Sequence, residues 1–260
     1  MIDTHCHLTY AGLYERVDQV VANAVDAGVD RMITVGTTPD DARHALDLAR
    51  RFDNVFATVG VHPHYAANWT DRALVEQAIR QLASDPRVVA IGEMGLDNHY
   101  DDPPIAEQRR MLEWQLQIAA ELGDLPIIIH NREATDEILA MLRASGIAAG
   151  RFVFHCFTGN RAELDAILEF GAMIGFTGIV TFASAADLAD AAATVPDDRI
   201  LIETDSPYLT PAPHRKVRPN EPCYVPCVAQ FLAQKRNVDE QTLIKYVDAN
   251  AERFIRMKAI

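Results

Sequence analysis

Residues 125–130 read "LPIIIH", three consecutive isoleucines with no polar residue among them, closed by a histidine. A half-buried strand alternates apolar and polar side chains. An uninterrupted β-branched run marks a strand buried on both faces, as in a parallel sheet covered by helices. The stretch before it, "EQRRMLEWQLQIAAELG" (107–123), is helical in pattern: Met111, Leu112, Leu116, Ile118 and Ala119 share one face, and Gly123 ends the run. A helix feeding a doubly buried strand is one unit of a βα repeat, and the histidine stands where that strand ends.

Working outward, the same pairing recurs along the chain. Candidate strands lie at about 2–7, at 31–36 ("RMITVG"), 55–61 ("VFATVGV"), 88–93 ("VVAIGE"), 125–130, 151–155 ("RFVFH"), 172–176 ("AMIGF") and 199–205 ("RILIETD"). "LYERVDQVVANAVDAG" (13–28) is expected to form a helix with Leu13, Val17, Val20, Val21, Ala24 and Val25 on one face, stopping at Gly28. Asn160 is expected to cap the helix "RAELDAILEFG", which Gly171 ends, and two further helices are expected after "EPCYVP". Eight strand–helix units spaced by about 30 residues predict an α/β fold, a (β/α)8 TIM-type barrel, which typically takes about 250 residues. A doubly wound open sheet would use fewer strands. No linker or low-complexity segment divides the 260 residues, so a single domain is expected over 1–260.

With 49% hydrophobic and 23% charged residues, the composition is that of an ordinary globular protein. The sequence contains no apolar run of membrane-spanning length and no basic-then-apolar leader, so a cytoplasmic protein without membrane contact is expected. Four scattered cysteines are too few for a disulfide framework, and reduced, packed thiols are expected, with Cys6 and Cys156 facing away from their neighbouring histidines. The net charge of −13 argues against a broad electrostatic grip on nucleic acid but permits a local cationic site, which a bound divalent metal would supply. No obligate protein partner is indicated, and a monomer is the expected state.

In a βα barrel the chemistry sits at the C-terminal strand ends. Here those ends carry His5 and His7, His62 and His64, Glu93, His130, His155 and Asp205. A lone buried histidine is usually a satisfied core residue, but strand after strand ending on a metal-ligand type points to a metal site. The H-x-H spacing puts both imidazoles on one face of a strand, suited to one ion. Asp3 shares that parity but lies deeper, which suits a structural role. Glu93, with Gly92 and Gly95 alongside, can bridge two cations. Glu203 and Asp205 share an inward face, with Asp205 the better ligand and Glu203 suited to orienting a ligand or handling protons. The set predicts one or two divalent ions with an activated water, and its mixed imidazole and oxygen ligands leave Mg, Mn and Zn open.

The motifs "DTHCHL" (3–8), "GVHPH" (60–64), "IGEMGLD" (91–97), "PIIIHNRE" (126–133), "FHCFTG" (154–159) and "TDSPYLTPAPHR" (204–215) occur in an order that resembles the TatD family of metal-dependent deoxyribonucleases, within the amidohydrolase superfamily. The resemblance runs on to "NAERF" (250–254), nearly the whole chain. It implies a TIM-type barrel with two divalent cations: His5, His7 and Asp205 on one, His130 and His155 on the other, Glu93 bridging. It also implies hydrolysis of DNA phosphodiesters, 3′-to-5′ on single strands, with His62 touching the substrate phosphate and Glu203 acting in catalysis. Two stretches depart from the family pattern: Asn98-His99-Tyr100 replaces a pair of aromatics, and "HNREAT" replaces the commoner "HSRDA" type. Both bear on substrate preference rather than on metal binding.

Beyond the last strand, "APHRKVRPNEP" gathers His214, Arg215, Lys216 and Arg218 on an otherwise acidic chain. Arg215 and Lys216 are expected to hold flanking phosphates of a DNA strand, and Tyr100 and Tyr208 to offer faces to a base. The expected activity is a metal-dependent 3′-to-5′ exodeoxyribonuclease. The competing reading is an amide or carboxyl-ester hydrolase using the same metals, against which stands the Glu93 bridge where many such relatives use a carboxylated lysine. A metal-dependent nucleic-acid binder without turnover is the third reading, disfavoured by the complete ligand set.

Overall fold

The computed structural model describes residues 1–255. Each of the eight apolar runs is a strand: β1 (Ile2–Cys6), β2 (Arg31–Thr34), β3 (Val55–Val59), β4 (Val88–Asp97), β5 (Ile127–Arg132), β6 (Phe152–Phe154), β7 (Met173–Phe176) and β8 (Ile200–Ile202). They form one sheet in the order β1 to β8, with parallel pairing, as in a (β/α)8 TIM-type barrel. The helices between and after them are α1 (Val17–Asp26), α2 (Pro39–Arg51), α3 (Arg72–Ala83), α4 (Ile105–Glu121), α5 (Thr135–Ala144), α6 (Arg161–Phe170), α7 (Ala186–Ala193), α8 (Val225–Arg236) and α9 (Glu240–Ile255). The Cα atoms group into two compact units: Met1–Thr34 with Cys156–Leu164 and the chain from Ile174 on, and Val35–His155 with Asp165–Met173.

In the first unit, β1 is zipped to the segment that follows β8. Asp205 N donates to His5 O at 2.9 Å and His7 N to Ser206 O at 2.7 Å, and Cys6 pairs with Ser206. Asp3, fully buried, accepts from Thr204 N at 2.9 Å and Thr204 Oγ1 at 2.6 Å, so it stitches β1 to the segment after β8 as a structural group. Burial pushes its carboxyl up to about 7, against the downward pull of the Thr204 and His5 hydrogen bonds. Asn160 caps α6 as expected: its Oδ1 accepts from Ala162 N and Glu163 N, and Glu163 Oε2 accepts from Asn160 N in return, a reciprocal capping box. The helix expected over 13–28 is shorter. Gly12 N donates to Glu15 Oε2 and Arg16 Nε to Gly12 O, which hold Tyr14–Arg16 in a 3-10 turn before α1 begins, and Val25 faces solvent.

In the second unit, two glutamines on the inner face of α4 act as polar clamps. Gln115 accepts from Val61 N at 2.8 Å and donates to Val61 O at 2.9 Å, pairing with the chain just past β3 as a neighbouring strand would. Seven residues earlier on the same face, Gln108 does this for Asp97 at the end of β4, at 2.8 and 3.1 Å. β4 itself continues to Asp97, four residues beyond the expected end at 93, so Glu93 lies mid-strand. Glycine permits this: a Cβ on Gly95 (φ +156°) would stand 1.9 Å from His130 O on β5. No disulfide joins the cysteines, and Cys6 donates to Ile33 O from a buried position.

Replacing Gln115 by leucine keeps the volume but leaves Val61 N–H and C=O buried without a partner. Chemical denaturation of the metal-stripped protein is expected to read a loss of about 1–3 kcal/mol. A neutral result would show that the Val61 backbone finds another partner.

Candidate metal centre

The first unit gathers His5, His7 and Asp205. The imidazoles of His5 and His7 point the same way from alternate positions, their Nε2 atoms 3.3 Å apart. Asp205 Oδ1 lies 3.3 Å from His7 Nε2 and 3.8 Å from His5 Nε2. Asp205 takes a left-handed backbone (φ +53°), uncommon for a side-chain-bearing residue and held by its own N–H on His5 O. Glu203 is buried beneath this group. Its Oε1 accepts from Cys156 N at 2.6 Å and its Oε2 from Thr4 Oγ1 at 3.3 Å. A Cβ on Gly175 would sit 2.7 Å from Glu203 Oε2, so glycine makes the room this carboxylate occupies.

The second unit gathers Glu93, His130, His155 and His62. Glu93 Oε1 lies 2.6 Å from His155 Nε2, 2.8 Å from His130 Nδ1 and 3.4 Å from His62 Nε2. Burial alone would raise the Glu93 carboxyl, but the His155 and His62 imidazoles and the hydrogen bonds of His130 and His155 outweigh it and hold it well below the usual carboxylate range. His62 follows β3, where Gln115 clamps Val61, and its Nδ1 accepts from His64 N at 3.1 Å. Burial lowers the His62 imidazole to about 4 despite the nearby Glu93 charge, so it stays neutral.

Asp97 and His64 extend this cluster: His64 is one of the strand-end histidines of the sequence, whereas Asp97 is not among the expected residues. Asp97 Oδ2 lies 2.9 Å from His64 Nε2 and 3.1 Å from His130 Nε2. Burial would push the Asp97 carboxyl up, but the His130 and His64 hydrogen bonds hold it below its ordinary value. His130 is the converse case: burial pushes its imidazole down, and Asp97 and Glu93 together raise it above the ordinary value. Among the described residues, His62–Glu93–His130 and His64–Asp97–His130 each bring their ligand atoms within 4.8 Å of one another. The sequence pointed to Asp97 only as the last letter of "GLD".

The donor set fits divalent cations. Carboxylate oxygens and imidazole nitrogens, the ligand types that mixed oxygen and nitrogen sites use, converge on buried positions that glycines clear. The basic segment is partly committed to its own loop. Arg218 Nη1 donates to Thr210 Oγ1 and to the carbonyls of Arg215 and Val217, and His214 packs on the Tyr224 ring. Arg215 lays its guanidinium over Phe182, and Lys216 is exposed. His99, on the exposed stretch after β4, contacts Glu133 at 2.9 Å, and Tyr100 lies under the Arg132 guanidinium with half its surface exposed.

The family described as TatD related DNase matches residues 2–256. The chain belongs to the TatD family. A TatD relative from Musicola paradisiaca (strain Ech703), named 3′-5′ ssDNA/RNA exonuclease TatD, is 40% identical over 262 residues, covering 99% of this chain and 98% of the relative. The uncharacterized metal-dependent hydrolase YcfH of Escherichia coli K12 is 39% identical, covering 100% of this chain and 97% of its own. The crystal structure of YjjV, a TatD homolog from Escherichia coli K12, superposes with a TM-score of 0.92 at 27% identity over 99% of this chain and 98% of that one. No helix among the described residues of this TatD-family chain is long and apolar enough to cross a membrane.

In the metal-free protein the His62 ring is expected to titrate near 4 rather than 6.5. The folded value lies below the unfolded one. The stability this histidine contributes is therefore present above pH of about 6.5 and lost as the pH falls toward 4. An NMR titration of the ring protons checks it, and a midpoint at the unperturbed value would show a solvated imidazole.

Proposed function

We propose that this TatD-family chain is a metal-dependent phosphodiesterase that shortens single-stranded DNA from its 3′ end, acting as a single-domain monomer in the cytoplasm. The observation that carries the reading is the buried Glu93 carboxylate with three imidazoles within 3.4 Å of one oxygen. In this reading His5, His7 and Asp205 hold one divalent cation, and Glu93, His130 and His155 hold the second. Mg, Mn or Zn bound there would lower the pKa of a water and offset charge building on the phosphate oxygens.

The remaining steps belong to side chains. His62 accepts a backbone N–H on Nδ1, so its Nε2 carries the proton of the neutral ring and donates to a phosphate oxygen of the substrate. Glu203 and Asp205 take up and pass on the proton released from the attacking water. Arg215 and Lys216 hold the phosphates on either side of the scissile bond, and they add a local positive field to a chain of net charge −13. Single-stranded RNA, which the Musicola relative's name includes, is the natural second substrate to try.

Metal-stripped protein incubated with end-labelled single-stranded DNA, with Mg, Mn or Zn added back, is expected to give a ladder shortening from the 3′ end only with metal. Glu93→Ala is expected to leave the strand intact. His5→Ala with His7→Ala is expected to lose bound metal and turnover while its circular dichroism spectrum is retained. Intact DNA with every metal, from folded and metal-loaded protein, would transfer the reading to an amide or carboxyl-ester hydrolase.

Lys216→Ala is expected to raise KM for DNA with little change in kcat. The slope of log affinity against log salt should shrink by about one counterion. An unchanged slope would remove Lys216 from the phosphate path.

A further inference from the structure

Asp97 is 1% exposed, and both of its carboxylate oxygens are engaged. Oδ1 accepts from His99 N at 3.0 Å, and Oδ2 lies 2.9 Å from His64 Nε2 and 3.1 Å from His130 Nε2. An ionised carboxylate has only lone pairs to offer, so each imidazole that bonds to it must present an N–H. A neutral His130 then carries its proton on Nε2, leaving Nδ1 as a lone pair. Nδ1 faces Glu93 Oε1 at 2.8 Å and His62 Nε2 at 3.2 Å. His130 Nδ1 and Glu93 Oε1 are then two acceptors that one cation can hold at once, with the His62 Nε2–H 3.2 and 3.4 Å away from them.

We propose that Asp97 is a positioning residue that locks His130 in its Nε2–H tautomer, so that Nδ1, beside Glu93, is the atom His130 gives to a metal. The inference rests on the reading in which Glu93 and His130 hold a cation. A carboxylate behind a ligand histidine fixes its ring orientation and raises its basicity, and losing that carboxylate typically costs about 10–100-fold in metal affinity. The support for Asp97 is itself rigid. Gln108 clamps its backbone N–H and C=O from α4, and neither bond uses the side chain. Its place is therefore set independently of the histidines.

Asp97→Asn tests this with almost no change of shape. The His99 N–H keeps the amide oxygen at the Oδ1 position, so the NH2 group takes the Oδ2 position and meets His130 Nε2 as a donor. His130 must then accept at Nε2 and carry its proton on Nδ1, pointing a hydrogen where the cation would sit. Long-range 1H–15N spectra of the histidine rings in metal-stripped protein, recorded at a pH high enough for His130 to be neutral, should show it protonated at Nε2 in the wild type and at Nδ1 in Asp97→Asn. Calorimetric titration with Mn2+ should show affinity falling by roughly 10–100-fold in Asp97→Asn while its melting temperature without metal stays close to wild type.

A neutral wild-type His130 that carries its proton on Nδ1, or an unchanged Mn2+ affinity in Asp97→Asn, would overturn the proposal. The wild-type spectrum decides the tautomer even where the variant does not fold. Neither readout uses DNA, so the two readings fail separately. Protein that leaves DNA intact but shows both results keeps the Asp97 role and loses the nuclease. Protein that degrades DNA, with an Asp97→Asn variant of unchanged Mn2+ affinity, does the reverse.

Discussion

A carboxylate taken out of water must be met by partners, or folding pays several kcal/mol for it. Glu93, 2% exposed in the middle of β4, sets that constraint on the second unit. Three imidazoles surround one of its oxygens, and each imidazole has to be aimed by something else. His130 is aimed by Asp97, His62 by the backbone N–H of His64, and His155 by the end of β6, where its own N–H donates to Ile129 O. The glycines follow from the same need. Gly92 and Gly95 let β4 lie so close to β5 that a Cβ at either position would strike the β5 backbone.

The first unit meets the constraint differently. Glu203 accepts from a backbone N–H and a threonine hydroxyl, and Asp3 accepts from Thr204 and the His5 amide. Asp3 therefore serves as a joint between β1 and the segment after β8. Asp205 is the member of this group with partial exposure, and its backbone takes the left-handed conformation that turns the chain after β8. Three acidic residues of similar chemistry thus have three environments: one sealed by hydrogen bonds to Thr204, one buried against a backbone amide, and one partly exposed beside two imidazoles.

The strands were legible because an uninterrupted apolar run has few other homes, and the histidines and acids were legible because they fall at or near strand ends. Gln108 and Gln115 were not. On a periodicity reading a polar residue beside Met111 and Leu116 counts against the buried face, yet both side chains point inward and pair with backbone. The extension of β4 to Asp97 was hidden for a related reason. "GLD" looks like a turn, and only the Gln108 clamp and the close approach to β5 keep it extended. The break at Tyr14–Arg16 depends on side-chain bonds to Gly12 that no apolar count registers. The basic segment read as one cluster, but Arg218 and His214 are spent on the loop's own shape.

The zipper between β1 and the segment after β8 has a consequence for biogenesis. His5 and His7 are made well before Asp205, their partner, which follows them by about 200 residues. On the ribosome, that cluster cannot exist until Asp205 has been synthesised, although His62, Glu93, His130 and His155 are all available earlier. During that interval the two histidines are a ligand pair without the Asp205 carboxylate beside them. The order of synthesis thus separates the making of the pair from the completion of its cluster.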